Sequence, residues 1–321
     1  MTFRKTLLLS ALVLPLLAAP VQALQVVASV KPLQLLSAAL LDGIAEPQLL
    51  VPADASVHNY ALKPSDVRRL ATADLVIWVG PELELFLAKA LNNTDAQVLQ
   101  LMAPAAVHAD EHDGHEAHDE QDEPDVHDEH DEHDEHDGAD DAEPESAHRH
   151  AVDAHLWLDP DLMLAAAQRL QALLSDIAPE HRQALADNYA RFAAALQARD
   201  QALRQQLAPL ADRGFFVFHD AYGYFVSHYG LKQLGYFTVD PARPPGARHL
   251  SEIRQQLKAR EAVCVFSEPQ FRSNVVRSVA AGTEVRHGEL DPLARNITPG
   301  PDAYLQYLDA LAGEFERCLK P

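Results

Sequence analysis

The apolar positions of this chain fall into two alternating blocks joined by one long regular stripe. In the first block, Gln25–Ser29, Gln48–Val51, Leu75–Val79 and Gln97–Leu101 are short apolar runs, as expected of strands buried on both faces. Leu33–Leu41, Lys63–Thr72 and Glu82–Leu91 read as helices between them. This alternation predicts a parallel sheet with crossover helices. Asp161–Ile177 is a further helical, Ala/Leu-rich stretch. A long helix is predicted from Pro179 to about Leu207. There Leu185, Tyr189, Phe192, Leu196, Leu203 and Leu207 recur at steps of three, four and seven, with Asp187, Arg191 and Arg199 off the stripe. A helix of that length is a rigid spine, unlike a Gly/Ser linker, which behaves as a coil.

The second block repeats the theme. Phe215–Phe218, Ala262–Ser267 and Thr283–Arg286 read as strands; Tyr222–Tyr229, Arg272–Ala281 and Tyr304–Leu319 read as helices. Asp240–Gly246 holds Pro241, Pro244 and Pro245 and reads as a rigid loop. The expected fold is therefore α/β, with lobes over 24–178 and 211–321 and a connecting helix over 179–210.

The N-terminus departs from this pattern. Arg4 and Lys5 precede an apolar core, Leu7 to Ala18, and Val21-Gln22-Ala23 has the small residues of a cleavage site. This reads as a secretory signal over residues 1–23, since the apolar stretch is short for a membrane span of about 20 residues. Export suits the two cysteines. Cys264 lies in a strand-like run and Cys318 in the last helical turn, and an even pair in an oxidising compartment usually forms a disulfide. It would staple the C-terminal helix to the second sheet; two buried free thiols are the alternative.

Charge changes the picture at one place only. The net charge is −22, and residues 108–150 hold twenty of the acids against a single base, Arg149. Outside them, 28 acids face 25 bases, with no basic stripe for nucleic acid. The same tract holds ten of the seventeen histidines: His108, His112, His115, His118, His127, His130, His133, His136, His148 and His150. A segment this polar cannot bury enough apolar surface to offset the entropy of folding, so a disordered loop is expected. A merely solubilising loop has no need of a histidine at every third residue, whereas imidazole mixed with carboxylate is a donor set that zinc and related divalent ions accept.

Seven histidines lie elsewhere. His219 follows the strand Phe215–Phe218, and ligands of open α/β sheets bind beyond the carboxyl ends of strands. His155 precedes a helix start, and His58 lies in the loop after the strand Gln48–Val51. These three, far apart in sequence, can converge in a cleft between lobes. His181 and His228 read as structural residues on helices, and His249 and His287 as loop residues without a matched partner.

Several ordered segments carry a resemblance. They are Val57-His58-Asn59-Tyr60 with Lys63-Pro64-Ser65-Asp66, Trp78-Val79-Gly80-Pro81-Glu82, His155-Leu156-Trp157-Leu158-Asp159-Pro160, Phe218-His219-Asp220-Ala221-Tyr222-Gly223-Tyr224-Phe225, Phe266-Ser267-Glu268-Pro269-Gln270-Phe271 and Leu290-Asp291-Pro292-Leu293. The chain resembles the ZnuA-type periplasmic zinc-binding proteins, the solute receptors of ATP-binding-cassette zinc importers. The acidic His-rich insertion is typical of them. The resemblance implies a monomeric receptor with Zn2+ between two lobes, and a membrane permease with its ATPase as partner. It implies His58, His155 and His219 as ligands, with Asp291 or water in the fourth position. Asp291 matches the aspartate that completes the site in manganese relatives. Some zinc members place a glutamate directly before the first histidine; Val57 stands there in this chain. A three-histidine set suits zinc better than manganese, imidazole being the softer donor.

Two other classes share some of these features. A zinc hydrolase also uses three histidines with an open position, and Glu268 or Asp220 would be its base, but no HExxH or similar compact motif is present. A periplasmic zinc buffer without a transporter would have the same sequence features. Glu268 reads either as a carboxylate that fixes a ligand histidine or as a charge at a helix start.

Overall fold

The computed structural model describes residues 23–102, 153–241, 243–272 and 274–321. Apart from Ala23, the expected signal segment lies outside these residues. So does the whole tract 108–150 with its histidines.

The first sheet has four parallel strands in the order β2-β1-β3-β4: β1 Val26–Ala28, β2 Gln48–Leu49, β3 Leu75–Trp78 and β4 Gln97–Gln100. The central strands β1 and β3 are buried throughout, which explains their unbroken apolar sequences. Helices α1 Lys31–Leu40, α2 Pro64–Ala71 and α3 Pro81–Leu91 lie between the strands. These three, and α4 Pro160–Ile177, each carry a proline at their start. The missing amide there costs no helical hydrogen bond. Asp159 caps α4 by accepting from the amides of Asp161 (2.8 Å) and Leu162 (3.1 Å).

A single 3₁₀ turn, Pro179–His181, leads into the spine α5 Arg182–Leu207. Its stripe is inward: Leu185, Phe192, Leu196, Leu203 and Leu207 are buried. Asn188 interrupts this apolar face, and its amide donates to the carbonyls of Leu40 and Asp42, satisfying the end of α1. Off the stripe, Arg191 pairs with Asp42 and Arg199 with Asp309.

The second sheet repeats the order of the first as β6-β5-β7-β8. Its strands are β5 Phe215–His219, β6 Gln233–Thr238, β7 Cys264–Ser267 and β8 Arg286–Glu289, all parallel. Around it lie α6 Gly223–Tyr229, α7 Ala247–Lys258, α8 Asn274–Ala280 and α9 Ala303–Leu319. Three differences from the sequence pattern stand out, all at the margins of the sheet. β6 is an edge strand, mostly half-buried and interrupted by Gly235, so no apolar run announces it. α7 buries only Ile253 and Leu257. The last strand begins at Arg286 rather than Thr283, because an edge strand of Arg286, His287, Gly288 and Glu289 carries no hydrophobic mark. His249 and His287 are accordingly not loop residues: His249 lies in α7 with Nε2 2.8 Å from the Tyr236 carbonyl, and His287 lies in β8.

One buried cluster runs from Val26 and Leu36 through Leu185, Phe192 and Leu196 of the spine to Phe215, Phe266 and Phe315. The two lobes thus share a core through α5, with α1 and α9 packed against it. A disulfide, Cys264–Cys318, ties β7 to α9. Among the described residues no helix is long and apolar enough to cross a membrane.

Candidate metal centre

His219 is the last residue of β5, a strand whose five residues are all buried. Position at the carboxyl end of a central strand aims the side chain at the cleft. The next strand over, β7, ends one residue before Glu268, and Glu268 Oε1 lies 2.6 Å from His219 Nδ1. With Nδ1–H donating to this carboxylate, the Nε2 lone pair is the one presented to a ligand.

His155 reaches the same place from the first lobe. It precedes the 3₁₀ turn Leu156–Leu158, whose residues are all buried. Trp157 anchors the turn across the lobes: its Nε1–H donates to the Pro292 carbonyl (2.8 Å), and its own carbonyl accepts from the Tyr304 hydroxyl (2.9 Å). The Trp157 ring meets the His155 ring edge to face at 5.2 Å. Asp153 completes the setting. Its Oδ1 accepts from the His155 backbone amide (2.9 Å) and lies 2.8 Å from His155 Nδ1. Again Nε2 faces inward.

His58 comes from the loop after β2, in a 3₁₀ turn Val57–Asn59 pinned by buried Val57. Its ring centroid lies 5.6 Å from that of His155 and 5.4 Å from that of His219. The ligand nitrogens of the three histidines lie within 4.8 Å of one another. His155 Nε2 and His219 Nε2 are 3.3 Å apart. Zn–N bonds of about 2.0–2.1 Å in a tetrahedron place neighbouring nitrogens about 3.3–3.4 Å apart. The cavity they line, with Ser56, Trp157, Glu268, Gln270 and Phe271 among its walls, measures about 10 Å³, roughly one water-sized sphere. Two neutral nitrogens at hydrogen-bonding distance in such a space are well arranged for a cation between them.

Burial sets the protonation of the site. It pushes the His58 imidazole down to about 3, helped by the neighbouring His155 and His219 and opposed by Asp240. It pushes His219 down to about 4 against the nearby Asp220, Asp153 and Asp240. His155 is lowered by burial too, against its Asp153 hydrogen bond. Glu268 is raised well above the ordinary carboxylate range by burial. The three imidazoles are therefore neutral, the form that binds metal. In the unfolded chain a histidine takes up a proton near pH 6.5. The folded His219 does so only near 4 and His58 near 3. Over that window the unfolded state binds more protons, so stability is lost as pH falls. Glu268, kept protonated by burial, contributes in the opposite sense, so the decline should be clearest without it. Urea melts of zinc-free Glu268→Gln should show stability declining from about pH 6.5 towards 4, and a flat profile over that range in this variant would contradict neutral imidazoles.

Asp291 does not join the three histidines. It stands just past β8, and its carboxylate is engaged elsewhere. Oδ1 accepts from the Leu293 amide (3.1 Å) and the Gln270 side chain (2.7 Å), and Oδ2 from the Arg295 amide (2.6 Å). Asp153 was not singled out in the sequence; its signal is its place two residues before a site histidine. Of the two readings of Glu268, the structure has the carboxylate against a site histidine.

A second group of His and carboxylate residues, Asp159, Asp161 and His228, lies where α4, α5 and α6 meet. His228 Nε2 is 2.7 Å from Asp200 Oδ1 and 2.7 Å from the Arg204 guanidinium. That arginine sets a positive charge beside the carboxylates, so the group is an interlobe charge network, in keeping with a structural His228.

The family model of ZnuA, zinc-uptake complex component A periplasmic, matches residues 26–318. The high-affinity zinc uptake system protein ZnuA of Yersinia pestis is 41% identical over 302 residues, covering 92% of this chain and 91% of that protein. Its namesake in Haemophilus ducreyi is 43% identical, covering 92% and 93%. Among solved structures, a crystal structure of ZnuA superposes with a TM-score of 0.72 at 23% identity, covering 93% of this chain and 100% of that one. The periplasmic zinc-binding protein TroA of Treponema pallidum gives 0.71 at 18%, covering 94% and 100%. These relatives are named for zinc uptake or zinc binding, and none for catalysis. The match spans both sheets, the spine and all three converging histidines, and the chain belongs to the ZnuA family of periplasmic zinc-uptake components.

Proposed function

We propose that this protein is the periplasmic receptor of a zinc importer, capturing Zn2+ between its lobes with His58, His155 and His219 and presenting it to a membrane permease driven by an ATPase. The observation that carries the reading is the convergence of three neutral imidazoles on a cavity of about 10 Å³, two of them 3.3 Å apart and each held by a carboxylate. Water is the fourth ligand in this reading, because the Asp291 oxygens are committed to the 291–295 turn and to Gln270. Zinc is preferred over manganese, as three nitrogen donors without a carboxylate favour the softer ion. The shared core along α5 supports small lobe shifts on loading rather than wide hinge opening. The signal segment 1–23 would direct the chain to the periplasm, where it acts as a monomer.

The tract 108–150 is an accessory in this reading, gathering zinc or reporting its excess. Ordering entropy weakens each of its sites relative to a preformed cleft. Its imidazoles should lose zinc as pH drops below about 6.5, whereas the triad stays neutral. The test is chelator-competition titration of the full chain and of a variant lacking residues 108–150. One tight zinc equivalent is expected in both, with further weak equivalents in the full chain alone. Loss of the tight equivalent on deletion would place the main site in the tract and overturn the proposal.

A further inference from the structure

We infer that Gln270 is a positioning residue for His58, a strap thrown across the cleft from the second lobe and anchored by Asp291; this rests on the three-histidine zinc site proposed above. The need for a strap comes from an asymmetry among the ligands. His219 and His155 are each steadied by a carboxylate at Nδ1, Glu268 and Asp153. For His58 the carboxylate that acts on the ring is Asp240, by charge, and the aim of the ring depends largely on the backbone of its loop. The loop runs from the end of β2 to a single 3₁₀ turn and lies in no sheet.

Gln270 touches that loop directly. It stands two residues beyond Glu268 and lines the same cavity as His58. Its Nε2 donates to the Ala53 carbonyl at 3.3 Å and to Asp291 Oδ1 at 2.7 Å. Both partners can only accept, so the amide must turn its NH2 group to both, and its orientation is fixed by chemistry. Asp291 in turn cannot swivel, since the Leu293 and Arg295 amides hold both of its oxygens. A carboxylate acceptor makes this the stronger of the two bonds. The chain of contacts runs from the 291–295 turn to Asp291, to Gln270, to Ala53, and along five residues to His58. Committing the NH2 group leaves Gln270 Oε1 buried with no partner among the described residues. That is an unfavourable arrangement for stability alone. It is intelligible if the contact to Ala53 serves the site. On this reading, Asp291 acts at one remove, by holding the glutamine that holds the loop.

The experiment is a double-mutant cycle on the full chain, using zinc alone as ligand. Zinc Kd by chelator competition, the dissociation rate, and amide hydrogen exchange are measured for Gln270→Ala, His58→Ala and the double variant. Gln270→Ala should weaken zinc roughly three- to tenfold, mostly through faster dissociation. Exchange should rise over residues 52–59 and stay unchanged in β5 and β7. In the His58→Ala background, Gln270→Ala should add less than about twofold, because its target is gone. A generally destabilising substitution would instead raise exchange throughout and cost the same in both backgrounds. Equal losses in both backgrounds, or unchanged Kd and exchange in Gln270→Ala, overturn the strap. If His58→Ala itself leaves the Kd unchanged, the three-histidine site fails, and the strap with it.

Discussion

His219→Ala should weaken zinc binding by more than about 100-fold, since loss of an outer-shell partner alone typically costs 10–100-fold and this change removes a ligand. His219 is the member of the triad that the second lobe contributes. It is buried at the end of β5, with Glu268 behind it and His155 Nε2 3.3 Å in front. Truncation removes one nitrogen from the cavity and strands Glu268, which burial already holds well above the ordinary carboxylate range. The remaining two imidazoles come from the first lobe, so the zinc would lose its bond between the lobes. His228→Ala is the control. It also deletes a buried histidine with a carboxylate partner, Asp200, but outside the triad, and should leave tight zinc binding intact. Chelator competition on both purified variants decides the matter: equal zinc affinity in the two would show that the triad is not the site.

Replacing Cys264 and Cys318 with alanine should lower the melting temperature by about 8–16 °C. The bond closes a separation of 54 residues. The chain-entropy model then gives about 4 kcal/mol, and each kcal/mol moves the midpoint of a domain this size by about 2–4 °C. Both sulfurs are buried, between β7 and α9, beside the packed rings of Phe266 and Phe315. Tight zinc binding at room temperature should persist, because α9 reaches the site through other contacts. The Tyr304 hydroxyl donates to the Trp157 carbonyl and the Tyr307 hydroxyl to the Pro292 carbonyl. Scanning calorimetry of the zinc-free pair checks this. A drop under about 2 °C would mean that the crosslink constrains little of the unfolded chain.

Much of the architecture could be read from the pattern of apolar positions. The central strands and the helices packed over them announced themselves because burial on both faces, or along one stripe, leaves a local mark. Leu185, Phe192, Leu196, Leu203 and Leu207 are buried as their spacing predicts. The edge strand β8 and the sparsely buried α7 left no such mark, and β6 was hidden by Gly235 and half-burial. The candidate histidines were legible partly from their positions at element ends and partly from the surrounding motifs. What Asp291 touches was not legible there: its carboxylate accepts from two amides of its own loop, those of Leu293 and Arg295, and from the Gln270 side chain.

Sequence by itself determined that this protein has two α/β blocks around one long helix, and its donor composition pointed to a divalent metal. Periodicity and donor composition are properties of neighbours along the chain, and both were visible there. Only the tertiary structure decided which imidazoles meet. His155 and His219 are 64 residues apart in sequence, and their Nε2 atoms approach to 3.3 Å because two sheets pack on one helix and present their strand ends and loops to a single cleft. Glu268 behind His219 and the Gln270 contact to the His58 loop likewise depend on that packing, whereas Asp153 holds His155 from two residues away along the chain.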